Sequence, residues 1–220
     1  MINLKNRLEG IYYRGMGRPV DQLTPKGAAT RREILRAAAR VFEAKGYSLA
    51  RMDDVVSETG LTKGAVYFHF KSKAALAHAV VDDQKQGMLA HVRRQLEGLG
   101  GPAEQVRGLV PVLVDLVIAE PAGWSVVRLD RELTTESPQD HAQVSVLAEW
   151  VDLVEELLLA GARAGDLHLP DDAHALATVF VGAFDGLKGV LEATGRATPE
   201  ELRRAAGVLA EVIEATIEAP

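Results

Sequence analysis

The chain has 220 residues, of which 47% are hydrophobic, 25% charged and 5% aromatic, and it contains no cysteine. These totals exclude a disulfide framework, a thiolate metal site and a cysteine nucleophile, and the wealth of Ala, Leu and Val over aromatics favours helices over sheets. The net charge of −6 conceals a segregation: residues 1–80 carry 14 Lys/Arg against 7 Asp/Glu, leaving 11 against 24 for the remainder. A basic N-terminal third on an acidic body suits a nucleic-acid-binding head attached to a self-associating body. No unbroken apolar run reaches the length of about 18 residues that spans a bilayer. Lys5 and Arg7 have no apolar stretch behind them, so a secretory signal is not expected either, and the expected location is the cytoplasm.

Residues 1–24 carry Gly10, Gly15, Gly17 and Pro19 and show no period. They read as a mobile basic arm whose Lys5, Arg7, Arg14 and Arg18 can reach phosphates. An inert leader fits the same residues, and Met16 would itself make a start. From Thr30 to Lys45 the positions Ile34, Leu35, Ala38, Val41 and Phe42 form one helical stripe, which Gly46 is expected to end. A second short helix, Arg51 to Thr59, is expected to bury Met52, Val55 and Val56, with Gly60 as its stop.

Thr62 then offers a hydroxyl cap to a very short helix running to Phe70. Lys63 stands in its first turn, where the helix dipole prefers an anion. That placement is poor for an isolated helix and good for one whose N-terminus faces phosphate. Gly64 and Ala65 stay small, Val66, Phe68 and Phe70 are expected inward, and Tyr67 and His69 outward. Helix, short helix, glycine turn and third helix within some 40 residues is the helix-turn-helix arrangement.

Ser72 caps a long helix expected to reach Leu96, a stiff rod of roughly 37 Å at 1.5 Å per residue, broken by Gly98 to Pro102. Four helical segments follow. Pro102–Ala119 is strongly apolar, with Pro111 expected to kink it. A short helix covers Ala122 to Arg131, and a longer one starts at Glu136-Ser137-Pro138 and runs to Arg163. Asp171-Asp172 opens a helix through Thr194 that carries Gly182, Gly186 and Gly189, and Thr198-Pro199-Glu200-Glu201 opens the last one. The predicted fold is all-α with about nine helices: an arm (1–24), a three-helix helix-turn-helix domain (25–71), and a body (72–220) that starts with the long connecting helix and serves ligand binding and dimerisation.

Residues 30–80 resemble the DNA-binding domain of TetR-type transcriptional repressors. The likeness rests on Arg32 to Ala38, Phe42-Glu43-Ala44-Lys45-Gly46-Tyr47, the run Gly60-Leu61-Thr62-Lys63-Gly64-Ala65-Val66-Tyr67-Phe68-His69-Phe70, and Lys71-Ser72-Lys73. Ala74-Ala75 departs from the family, which often has Glu soon after the capping serine. The resemblance implies DNA contacts from Arg51, Thr62, Lys63, Gly64, Tyr67, His69 and Lys71. A weaker likeness, through Glu120-Pro121, Val127-Arg128-Leu129, Glu149-Trp150 and Gly161 to Gly165, points to the γ-butyrolactone-receptor branch. It implies that Trp150 forms a flat wall against an effector, and the candidate ligand-binding set is Pro111, Val114, Trp124, Leu147, Trp150 and Thr178. Gly182, Gly186, Ala205, Ala206 and Leu209 are the candidate dimer contacts.

The implied function is a homodimeric repressor released from a pseudo-palindromic double-stranded operator by a small hydrophobic effector, such as a γ-butyrolactone, a lipid or an antibiotic. No membrane partner, cofactor, metal or catalytic residue is expected. The sequence has no Gly-rich phosphate loop, no His-Glu-x-x-His and no nucleophile elbow, so an enzyme is the remote alternative. A sequence-independent architectural DNA binder is another.

Overall fold

The computed structural model describes residues 24–119, 125–136, 145–170 and 172–217. Among them are nine helices and no strand: α1 Pro25–Leu49, α2 Met52–Thr59, α3 Lys63–His69, α4 Lys73–Glu97, α5 Pro102–Ala119, α6 Ser125–Glu136, α7 Val146–Ala164, α8 Ala173–Ala193 and α9 Pro199–Ile217. The basic-arm reading of residues 1–24 lies outside the described residues but for Thr24.

The first compact unit comprises the described residues of 1–85 and 125–143. Thr24 caps α1 by accepting a hydrogen bond from the Gly27 N–H at 3.2 Å, and Pro25 fills the first helical position, where an N–H has no partner to lose. The expected stripe is buried: Ile34, Leu35, Ala38, Val41 and Phe42 all lie in the core. Gly46 interrupts the helix at φ 72° and ψ 165°, and after this kink a short turn continues to Leu49. α2 buries Met52 and Val55, while Val56 is only half-buried. Gly60 closes α2 in the left-handed region at φ 67°, and its N–H reaches the Val56 carbonyl. The Ser72 hydroxyl accepts from the Ala75 N–H at 3.1 Å and so starts α4. The unit does not stop at residue 72: it takes in the first half of α4 and also α6, which packs against α1.

The second unit holds residues 86–97 of α4 with α5, α7, α8 and α9. α7 lies against α5 and α8, and α9 against α5 and α8. α5 runs through Pro111 as one helix, and that proline is exposed. α7 ends on Gly165 at φ 81°, and the chain then turns back so that Leu167 lies over Gly161. The start expected at 136–138 for the α7 segment lies outside the described residues but for Glu136, which ends α6. Asp172 caps α8 through the Ala175 N–H at 2.9 Å, Thr198 caps α9 through the Glu201 N–H at 3.2 Å, and the His168 N–H reaches the Ile217 carbonyl at 2.8 Å. By length and composition alone α8 is apolar enough to cross a membrane, because Ala, Val, Leu and Phe outweigh its few charges, but it holds no unbroken apolar run of spanning length, as read from the sequence.

Candidate nucleic-acid interface and apolar cavity

α3 begins where Thr62 accepts the Ala65 N–H at 3.2 Å, so the hydroxyl cap read from the sequence is formed. The awkward first-turn cation also has a partner. Lys63 Nζ lies 2.8 Å from Asp53 Oδ1 of α2, with both side chains mostly exposed. The ammonium is 5.8 Å from the centre of the Tyr67 ring, an arrangement in which ring and charge attract. The hydrogen bond to Asp53 raises the Lys63 pKa, followed by that carboxylate's charge and Tyr67. Asp53 was not legible as a site residue, because it belongs to the preceding helix and the pairing is tertiary.

A side-chain carbon added at Gly64 would meet nothing within 4 Å. The protein's own packing therefore leaves that surface open. Tyr67 is half-buried, and Lys71 Nζ donates to its carbonyl at 3.1 Å. Arg51 is exposed at the start of α2. Its N–H donates to Asp54 Oδ2 at 2.9 Å, and Asp54 in turn meets Lys45 Nζ at 2.8 Å. The Lys45 hydrogen bond, then the Arg51 N–H, hold the Asp54 carboxyl below its usual range. Thr62, Lys63, Gly64 and Lys71 thus lie exposed on or beside α3, with Arg51 opening α2.

Two positions on α3 are reversed from expectation. His69 is only 7% exposed, whereas Phe68 is 48% exposed. The reason is the helical period. Val66 is buried, and residues three and four places on, His69 and Phe70, follow it inward, while Phe68 at two places on points nearly opposite. The expectation had alternated the side chains, as in a strand. The two rings meet edge to face at 5.2 Å. Burial lowers the His69 pKa, and the Arg31 charge lowers it further. The Arg31 guanidinium lies 5.0 Å from the centre of the Phe70 ring.

The second unit holds a small apolar cavity that is partly open to solvent. Its walls are Leu109, Val110 and Leu113 of α5, Leu147, Trp150 and Val154 of α7, Phe180, Val181 and Phe184 of α8, and Ile213 of α9, with Asp185 the acidic member. Trp150 is 4% exposed, and its Nε1 is the one buried side-chain nitrogen or oxygen among the described residues that finds no hydrogen-bond partner. An orphaned buried donor costs about 1–3 kcal/mol. Leu147 and Trp150 were foreseen as lining residues. Val114 is buried but does not line this wall. Pro111 and Thr178 are exposed, and the Thr178 hydroxyl turns back to the His174 carbonyl at 2.9 Å. Trp124 lies outside the described residues. The aromatic wall of Phe180 and Phe184 was missed, since buried phenylalanines on a core helix carry no distinct spacing signal.

Gly182 and Gly186 are exposed on α8, and Ala205 and Leu209 are half-buried on α9. Ala206, expected at an intersubunit contact, is 1% exposed and belongs to the chain's own core. The stripe actually left open is aliphatic: Val179, Val190, Val208 and Val212 are 56–63% exposed. Val179, Gly182, Gly186 and Val190 follow helical steps of three and four, as do Ala205, Val208 and Val212. Among the described residues no group of three or more His, Asp or Glu could hold a metal ion.

Residues 34–80 match the family described as bacterial regulatory proteins, tetR family. The A-factor receptor protein of Streptomyces griseus is 30% identical over 178 residues, covering 78% of this chain and 59% of the receptor. The chain thus spans about three-fifths of the length of that relative. Among solved structures, one reported as the molecular basis for control of antibiotic production by bacterial hormones aligns with TM-score 0.71 and 29% identity, over 87% of this chain and 98% of that one. A γ-butyrolactone receptor described as ArpA-like aligns with TM-score 0.57 and 26% identity, over 87% and 99%.

Proposed function

The chain belongs to the tetR family of bacterial regulatory proteins, and from that premise we propose that it is a homodimeric repressor released from its operator by a small, largely apolar effector. It acts on DNA in the cytoplasm as a regulator and not as an enzyme. The observation that carries the reading is α3: a capped short helix whose outward first turn is Thr62-Lys63-Gly64, with a cation held ready and open space over the glycine. Arg51, Tyr67 and Lys71 flank it as phosphate contacts. His69 acts from beneath, supporting α3.

Two subunits pair through the valine and glycine stripes of α8 and α9, covering apolar surface that a lone subunit leaves in water. Pairing presents two recognition helices to one DNA face, with half-sites about 34–36 Å apart or a multiple of that. The operator is then pseudo-palindromic. The cavity of the second unit takes the effector. Its apolar walls favour a hydrocarbon body, and the orphaned Trp150 N–H supports an effector carrying a hydrogen-bond acceptor, as the carbonyl of a γ-butyrolactone would supply. Such an effector lowers operator affinity only by its preference for the released state, typically about 1–3 kcal/mol.

Selecting bound duplexes from a random library and then challenging the complex with lactones, fatty acids and antibiotics tests both halves. A pseudo-palindrome released by a neutral lactone is the expected result. Sequence-independent binding, or turnover of a lactone by the purified protein, would overturn the reading. Trp150→Phe keeps the aromatic wall and loses the N–H. It should weaken the response to a lactone by about tenfold while operator binding stays unchanged.

A further inference from the structure

The bend at Gly46 separates two backbone groups that an unbroken helix would join. In a regular α-helix the Tyr47 N–H donates to the Glu43 carbonyl, four residues back. Here Gly46 stands between them at φ 72° and ψ 165°. Both groups go to side chains of α6. Glu132 Oε2 accepts from the Tyr47 N–H at 2.6 Å, and Arg128 Nη2 donates to the Glu43 carbonyl at 3.0 Å. Arg128 and Glu132 are themselves one turn apart, with Arg128 Nε 3.9 Å from Glu132 Oε1. One i,i+4 pair on α6 thus takes the place of one i→i−4 bond of α1.

We propose that Arg128 and Glu132 are positioning residues for the DNA-reading head: they hold α1 in its bent form and so set where α2 and α3 lie. The inference rests on the reading of α3 as the DNA contact. The bend is the last turn before α2, and Tyr47 at its centre is tied on its other side. Lys73 Nζ donates to the Tyr47 carbonyl at 2.7 Å and sits 4.2 Å from the centre of its ring. Lys45, one residue before the bend, reaches Asp54 of α2 at 2.8 Å. A shift at the bend therefore moves the anchors of α2 and of the start of α4 together. The Tyr47 N–H bond is part-buried and the Glu132 side chain is partly exposed, so without Glu132 that N–H is left to water or returns to Glu43 as Gly46 turns helical. Either way the geometry that α6 sets at the bend is lost.

The choice of glycine at 46 fits this. A side chain there meets only the Glu132 carboxylate, at an ordinary 3.6 Å. The positive φ and not lack of room is what favours glycine. Gly46→Ala therefore disfavours the bent form while both Arg128 and Glu132 stay in place.

Purified full-length dimers of the wild type, Glu132→Ala, Glu132→Gln, Gly46→Ala and the double variant Gly46→Ala/Glu132→Ala would be compared for operator affinity and for exchange of the Tyr47 amide proton. Glu132→Ala and Gly46→Ala should each lower operator affinity by about tenfold, and the double variant should lose at least the product of the two, because both shift one equilibrium in the same direction. Glu132→Gln keeps an acceptor and should restore most of the binding. The Tyr47 amide should exchange faster in Glu132→Ala than in Glu132→Gln. Wild-type affinity in Glu132→Ala, no rescue by Gln, or a double variant that binds better than either single one would each overturn the proposal. Should Glu132→Ala fail to fold, Gly46→Ala and the Gln variant still decide: unchanged affinity in Gly46→Ala sinks it. A wild type that binds no specific duplex fails the repressor reading itself, and the amide-exchange comparison then judges the α6 clasp alone.

Discussion

Lys63 is the residue on which the repressor reading is most exposed to test. Its ammonium is free to leave Asp53 for a phosphate, since an exposed ion pair of this kind holds by little. Lys63→Ala should weaken operator binding by about tenfold and reduce the slope of log affinity against log salt by roughly 0.9, the loss of one phosphate contact. The dimer should persist in sedimentation. Unchanged affinity with an unchanged salt slope would remove Lys63 from the interface. His69 makes a prediction of a different kind. Its pKa is lowered in the folded protein by burial and then by Arg31, so the unfolded chain takes up the proton first as pH falls. The stability that neutral His69 contributes is therefore complete above its unfolded value of about 6.5 and is lost as pH falls below that, towards the folded value. His174 runs the other way. Its hydrogen bond to Glu155 raises its pKa, so its contribution is present below about 6.5 and is lost as pH rises through the folded value. Thermal melts should show a smaller loss of stability on acidification below about pH 6.5 in His69→Gln than in the wild type. An unchanged profile would mean that His69 titrates alike in the folded and unfolded chain.

At the scale of elements, what was legible in the sequence depended on whether a feature is local. Caps and breaks are local, and Thr62, Ser72, Asp172 and Thr198 each accept the hydrogen bond their spacing implied. The buried stripe of α1 followed the helical period as read. α3 went wrong at Phe68 and His69 because a seven-residue helix gives too few turns to reveal its period, so alternation looked equally plausible. Glu132, Arg128 and Asp53 were invisible as partners, since each meets backbone or charge brought close only by the fold. Gly161 is a further case of this. Nothing in the sequence of α7 shows that a carbon added there would lie 2.3 Å from Leu167 Cδ1 and 2.7 Å from its Cγ. Leu167 is buried, and both contacts lie well inside van der Waals distance, so Gly161→Ala forces the leucine or the turn after α7 to move. The expected cost is about 1–3 kcal/mol, seen as a fall in Tm of several degrees with operator specificity retained. A variant as stable as the wild type would show that the turn yields freely.

For the whole molecule, the segregation of charge and the open aliphatic stripe point to one architecture. The basic third suits a polyanion, while the acidic remainder keeps the rest of the protein from competing for the same DNA. Small domains that each touch a few phosphates bind weakly, and a dimer gains because the second contact becomes intramolecular. The stripe on α8 and α9 is where such pairing has to be broken to test it. Val212 is 56% exposed and stands one turn from Val208, itself 58% exposed, so a charge at 212 disturbs little within the subunit but places a carboxylate in any apolar contact between copies. Val212→Asp should convert the dimer to a folded monomer with unchanged helix content, and operator affinity should fall by about 10²-fold or more as the second half-site is lost. A half-site duplex, in contrast, should bind the variant and the wild-type subunit alike, because α3 is untouched. Persistence of the dimer in Val212→Asp would place the interface elsewhere on the chain. A monomer that still held the full operator at wild-type affinity would show that pairing is not what binds this protein to DNA.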